Sequence, residues 1–212
     1  YNLNYFRKDS TFSNTYQFFK LDYIFNNKIK SGIEYDFRKS NLAKETINQE
    51  DYESKFIGIS LENQKLLRTQ MGNQFSYLFT SKLKLGNRIA ENMSSKQLII
   101  EASVLKNLFI NPKNHIHTRF KINHLESENY LDNELFRTGG VNTIRGFEEN
   151  SIFANSFFLA NIEYHYALNN QLEVYSLTDI MHVVNKDKNK EENLYALGLG
   201  IQIKKTNYTL NL

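Results

Sequence analysis

The sequence predicts an all-β fold: an antiparallel transmembrane β-barrel, of which these 212 residues are an incomplete part. Three observations carry the prediction. Apolar and polar residues alternate with a period of two through most of the chain, the alternating runs are long, and the links between them differ in length from one end of the strands to the other. Composition agrees: 14% aromatic residues with a single proline, and abundant Asn and Ser, suit strands joined by polar turns.

Each alternating run can be read in order. In TYQFFKLDYIF, Phe19, Leu21, Tyr23 and Phe25 share one face, with Lys20 and Asp22 on the other. SGIEYDFR sets Ile33, Tyr35 and Phe37 against Glu34, Asp36 and Arg38, and KFIGISLE sets Ile57, Ile59 and Leu61 against Gly58, Ser60 and Glu62. QFSYLFTSKLKLG places Phe75, Tyr77, Phe79, Leu83 and Leu85 opposite Gln74, Ser76, Thr80, Lys82 and Lys84. HIHTRFKIN carries His115, His117, Arg119 and Lys121 on one face, and LANIEYHY carries Asn161, Glu163 and His165. LYALGLGIQI pairs large apolar residues with small and polar ones.

Alternation alone leaves two architectures open. In a small soluble barrel or sandwich the apolar face fills the core; in an outer-membrane barrel it meets lipid and the polar face lines the interior. Run lengths of about 9 to 12 residues match a tilted strand crossing a bilayer, whereas soluble strands average about five or six. NNK (26–28), NPKN (111–114) and LNNQ (168–171) are tight turns, while RKSNLAKETINQEDYES, GNRIAENMSS, the stretch around residues 127–155 and VNKDKNKEEN are expected to be long polar loops, the asymmetry of outer-membrane barrels. The link NQKLLRTQMGN is longer than this pattern wants. The runs amount to about 10 or 11 strands, so strands are expected to be missing at both ends of a closed barrel of even strand number.

Other classes lose support. Without cysteine there is no disulfide framework, thiolate metal site or cysteine nucleophile. A net charge of +3 with acids and bases interleaved forms no basic stripe, so no nucleic-acid partner is expected. No apolar run is long enough for a membrane helix, and the mean hydropathy of −0.54 averages over alternating strands. The chain opens on Tyr1 without a methionine or signal peptide, which reads as mature or excised material.

One loop stands apart: FRTGGVNTIRGFEENS, Phe136 to Ser151. GGVNTIRGF resembles the signature of the inward-folding sixth external loop in the BamA/TamA superfamily of outer-membrane assembly and translocation barrels. The strand FFLANIEYHYAL follows it, then YSLTDIMH in the place of a Phe-x-Asp-x-Gly strand, then the Gly-x-Gly strand YALGLGIQI. The resemblance covers about residues 116–212; it departs where Leu177 replaces the usual aromatic and Met181 the glycine.

The resemblance implies a loop lock inside the lumen. Arg145 is expected to meet Asp179 on the inner wall, with Gly139 and Gly140 bending the loop inward. Gly146 would let the backbone turn and approach the wall, and Phe147 would supply an apolar foothold. Strand parity agrees, placing Asp179 on the face of Glu173 and Tyr175, and Glu163 and Glu173 are expected to be supporting lumen residues. The whole chain, 1–212, is then the C-terminal part of a barrel of about 16 strands in the outer membrane of a Gram-negative bacterium.

The function so implied is non-enzymatic: insertion of client β-barrels into that membrane, or passage of a polypeptide across it. Its partners would be outer-membrane lipid, client polypeptides and, in the full-length protein, periplasmic POTRA modules and accessory lipoproteins. The alternatives are a barrel that anchors an enzyme domain such as a patatin-like lipase, and a passive channel or soluble binding barrel. His115 and His117 have the spacing of a metal pair, but the sequence places no carboxylate or third histidine beside them. They read as lumen-facing polar residues, with no metal or cofactor expected. Glu148 and Glu149 read as a solvated pair, and no nucleophile elbow accompanies the serines.

Overall fold

A computed structural model describes residues 2–8, 12–25, 28–42, 49–69, 72–91, 93–205 and 208–211. Among these residues the strands are β1 (Asn2–Lys8), β2 (Phe12–Phe25), β3 (Ile29–Leu42), β4 (Tyr52–Thr69), β5 (Gly72–Ala90), β6 (Met93–Asn111), β7 (Asn114–Ser127), β8 (Phe136–Thr138), β9 (Ile152–Ala154), β10 (Ser156–Ala167), β11 (Leu172–Asn185), β12 (Lys190–Lys205) and β13 (Tyr208–Asn211). Eleven form one antiparallel sheet, each hydrogen-bonded to its neighbours in chain order, with β10 following β7. Strands β8 and β9 pair only with each other, as a short stem inside the loop between β7 and β10. The sheet is an open run from β1 to β13.

The two faces are opposite in character. Leu21 and Tyr23 on β2, Ile33 on β3, Ile57 and Ile59 on β4, Leu85 on β5 and Leu197 and Leu199 on β12 point outward, exposed. Leu199 is 87% exposed, a value no core residue shows. The inward face carries Glu34, Asp36, Ser54, Lys84, Arg88, Gln97, Asn123, Asn161, Glu173 and Asp179, all buried. Apolar outside and polar inside is the reverse of a soluble sandwich and the arrangement of a lipid-embedded barrel.

Curvature follows from what the loop touches. Asn14 on β2 donates through Nδ2 to the Asn133 carbonyl at 2.8 Å, and Asn133 Nδ2 reaches Ser40 Oγ on β3 at 2.7 Å. Arg88 on β5 forms an ion pair with Glu134 and also bonds Asn129. The same loop, some ten residues on, sits against β7, β10 and β11. One loop can reach β2 and β11 together only if the sheet wraps around it.

Several links are shorter than expected. GNRIAENMSS is mostly strand, and β5 turns at Glu91 with a left-handed φ of 47°. VNKDKNKEEN contains a turn at Lys186–Asn189, and Asn189 has φ 47°. The troublesome NQKLLRTQMGN belongs to β4 and β5, with residues 70 and 71 outside the described residues. In VNKDKNKEEN polar residues occupy both faces of β12 near its start, so the segment loses its alternation without losing its ladder. Strand β6 supplies an element the alternation did not single out.

Candidate functional site: an arginine clamp on the inner wall

The loop 128–155 turns inward on three glycines of positive φ: Gly139 at 109°, Gly140 at 94° and Gly146 at 82°, a region L-residues avoid. A Cβ on Gly139 would lie 2.4 Å from the Glu148 carbonyl oxygen, so main chain packs on main chain there. The turn closes with Gly140 N–H donating to the Ile144 carbonyl at 3.1 Å and Gly139 N–H to Thr143 Oγ1 at 2.9 Å. At Gly146 the expectation needs correction. It supplies the turn, but no atom lies within 4 Å of where its Cβ would be, so close approach to the wall is not its task.

This geometry delivers Arg145 to Asp179. Arg145 Nε donates to Asp179 Oδ2 at 2.8 Å, Nη2 to Oδ1 at 2.5 Å, and the Arg145 main-chain N–H to Oδ2 at 3.0 Å. Nη1 is taken by Glu163 Oε1. A planar guanidinium donating to two carboxylates is the strongest side-chain pairing available to a loop tip. Asp179 is fully buried, and its fourth bond comes from Asn161 Nδ2 at 2.7 Å. The carboxylates, Asp179 foremost, push the Arg145 guanidinium above its ordinary pKa. At about 4 Å and an effective dielectric near 20, one such attraction is on the order of 4 kcal/mol before desolvation is subtracted.

Register explains the cluster. Asn161 on β10 lies opposite both Asp179 on β11 and Arg119 on β7, so one row across three strands faces the loop. Arg119 Nε donates to Asn161 Oδ1 at 2.8 Å and Nη2 to the Asn142 carbonyl at 2.7 Å, while Asn161 Nδ2 also donates to the Thr143 carbonyl at 2.9 Å. Arg119 and Asn161 have the inward parity the sequence shows, but nothing in the sequence marks them as loop contacts.

Above the clamp the loop has an apolar footing. Ile144, Ala154, Phe157, Leu159, Met181 and Val183 form a buried cluster, with Phe136, Phe147 and Ile152 packed against it. Phe147 thus lies on apolar wall, and Met181, the departure from the family pattern, is fully buried beneath the loop, with Thr138 Oγ1 at 3.9 Å from its sulfur. Leu177 faces inward above Gly198, whose Cβ would sit 3.3 Å from the leucine side chain.

Glu163 and Glu173 both line this wall, and His165 lies between them, its Nε2 2.8 Å from Glu163 Oε2 and its Nδ1 3.4 Å from Glu173 Oε2. Glu163 is therefore a direct partner of Arg145, a closer role than support.

No protein-family model matches the chain, and no curated protein matches it by sequence. Among solved structures, CdiB from Acinetobacter baumannii is similar with a TM-score of 0.62 at 13% identity, over 94% of this chain and 37% of CdiB. The outer-membrane expressed OmpT of Vibrio cholerae is similar at a TM-score of 0.44 and 9% identity, over 93% of this chain and 62% of that one. The chain thus spans little more than a third of CdiB's length. Likeness to CdiB and an outward apolar face make this an antiparallel outer-membrane β-barrel fold of the Gram-negative type, present in part.

Proposed function

We propose that residues 1–212 are the C-terminal part of a BamA/TamA-type barrel that inserts client β-barrels into the outer membrane or passes a polypeptide across it. One observation carries this reading: a loop folded into the interior, its tip arginine gripped by Asp179 and Glu163 on the inner wall. A loop serving only as a surface connection gains nothing from placing a guanidinium beside two carboxylates within the wall. In this reading the loop occupies the bore, braces β7, β10 and β11 as one panel, and sets the conformation that a client meets. The clients, together with POTRA modules and accessory lipoproteins of the full-length protein, are its partners.

The test is charge reversal in the full-length protein. Asp179→Arg and Arg145→Asp are each expected to reduce assembly or secretion at least tenfold, and the pair together to restore part of it. Heat-resistant migration on gels reports folding separately. Activity unchanged by both single reversals overturns the reading.

A further inference from the structure

We propose that His115, His165 and Glu173 bind one divalent transition-metal cation of the zinc class on the inner wall, near the tight-turn end of the barrel. The sequence pairs His115 with His117, but the structure parts them. His117 Nδ1 is engaged with Asn107 Oδ1 at 2.7 Å, whereas His115 lies opposite His165 in the β7–β10 register. Glu173 arrives from β11, just past the turn at residues 168–171. One ligand atom from each of the three falls within 4.8 Å of the others.

Burial makes this more than a polar patch. Glu173 is 1% exposed and His165 4%, and a carboxylate so placed is stabilised by positive charge, which a bound cation or a protonated His165 beside it supplies. His165 Nδ1 is buried and makes no hydrogen bond of proper geometry; Glu173 Oε2 faces it at 3.4 Å. Its other nitrogen, Nε2, is held by Glu163 at 2.8 Å. A metal-binding histidine commonly has this form, one nitrogen for the ion and the other fixed by a carboxylate. Two imidazoles and one carboxylate suit zinc, copper or nickel and leave a fourth position for a further ligand; calcium and magnesium prefer oxygen ligands throughout.

Tetrahedral zinc sets ligand atoms about 3.4 Å apart, so the trio must close by about 1.4 Å from its 4.8 Å limit. His115, half-buried at the second position of β7, stacks on Phe109 and His165, and its ring must rotate out of that stack to present a nitrogen to the ion. The rival explanation is packing alone. Phe109, His115, His165 and Tyr175 form a column with ring centroids 5.6, 4.5 and 4.7 Å apart, which needs aromatic rings but no ligand atoms. The site also adjoins the clamp: Glu163 accepts from His165 on one oxygen and from Arg145 on the other. An ion on Nδ1 leaves Nε2–H to donate to Glu163, so metal loading and loop retention share that carboxylate.

The experiment uses the full-length protein, stripped with a chelator and titrated with Zn²⁺, then with Cu²⁺ under electron paramagnetic resonance. Wild type is expected to take up one Zn²⁺ that His115→Phe and Glu173→Gln each weaken at least tenfold, while His117→Phe leaves it unchanged. His115→Phe keeps the ring column, so its loss of binding separates ligation from stacking. The Cu²⁺ spectrum should show coupling to two nitrogens, falling to one in His115→Phe. Zn²⁺ uptake indifferent to both ligand variants overturns the proposal. If those variants fail to fold, a wild-type Cu²⁺ spectrum without two-nitrogen coupling overturns it alone. The inference stands apart from the translocation reading, since it concerns ion uptake and not activity.

Discussion

Arg145 holds Asp179 twice over, once through its guanidinium at 2.8 and 2.5 Å and once through its own main-chain N–H at 3.0 Å. The aspartate therefore fixes the backbone of the loop tip as well as its charge. Arg145→Lys keeps the charge and the main-chain bond but loses the fork that serves Asp179 and Glu163 together. We expect a cost of about 1–2 kcal/mol, seen as faster proteolysis of the loop in a barrel that still migrates as folded. Asp179→Ala removes both holds and should cost more, about 3 kcal/mol.

The three loop glycines should rank by what surrounds them. Gly139→Ala meets a main-chain oxygen at 2.4 Å that cannot move alone and should be the worst. Gly140→Ala meets the Glu149 carboxylate, which can swing aside, although the Glu149 Cα at 3.1 Å remains. Gly146→Ala faces open space and bears only the left-handed backbone cost of about 1 kcal/mol. Thermal unfolding in detergent gives the order, and a Gly146→Ala more harmful than Gly139→Ala contradicts it.

The loop base offers a second ion pair. Arg88 and Glu134 are buried together, with Gln97 Nε2 on the second carboxylate oxygen at 2.8 Å. Either Arg88→Met or Glu134→Leu alone strands a buried charge and should cost about 3–5 kcal/mol. The double variant should recover a large part of that loss. Chemical denaturation of the three variants measures the coupling.

Ile59 is 60% exposed on the outward face. In water, Ile59→Arg would be nearly neutral; in lipid it should cost about 2–4 kcal/mol near mid-bilayer. Refolding titrations into lipid vesicles read the difference.

Much of this was legible in the residues, and the failures share a cause. The phase of alternation gave Asp179, Glu163 and Glu173 their inward side because inside the apolar band each strand faces lipid on one side only. Beyond that band the outward face is wet as well. Glu53 on β4, and Glu191 and Glu192 on β12, therefore sit in strands whose sequence looks like loop. Strand β6 was obscure for the opposite reason: inward Ile99 is buried under Leu125 and the loop, so Leu98, Ile99 and Ile100 make an apolar run without a period. Arg119, Asn161 and His165 had visible parity but no visible partner. Their roles arise from a row across three strands and a loop, which no local pattern encodes.

The length of β4, β5 and β6, at 18, 19 and 19 residues, exceeds the 9–11 or so that a tilted strand needs to cross hydrocarbon. Whatever part of them outruns the hydrocarbon stands beside water as hydrogen-bonded ribbon. A macromolecule approaching the long-loop rim would meet side chains displayed in ladder pairs from different stretches of sequence, such as Glu53 beside Ile89. Excised peptides copying one stretch would lack that pairing and make poor mimics of the surface.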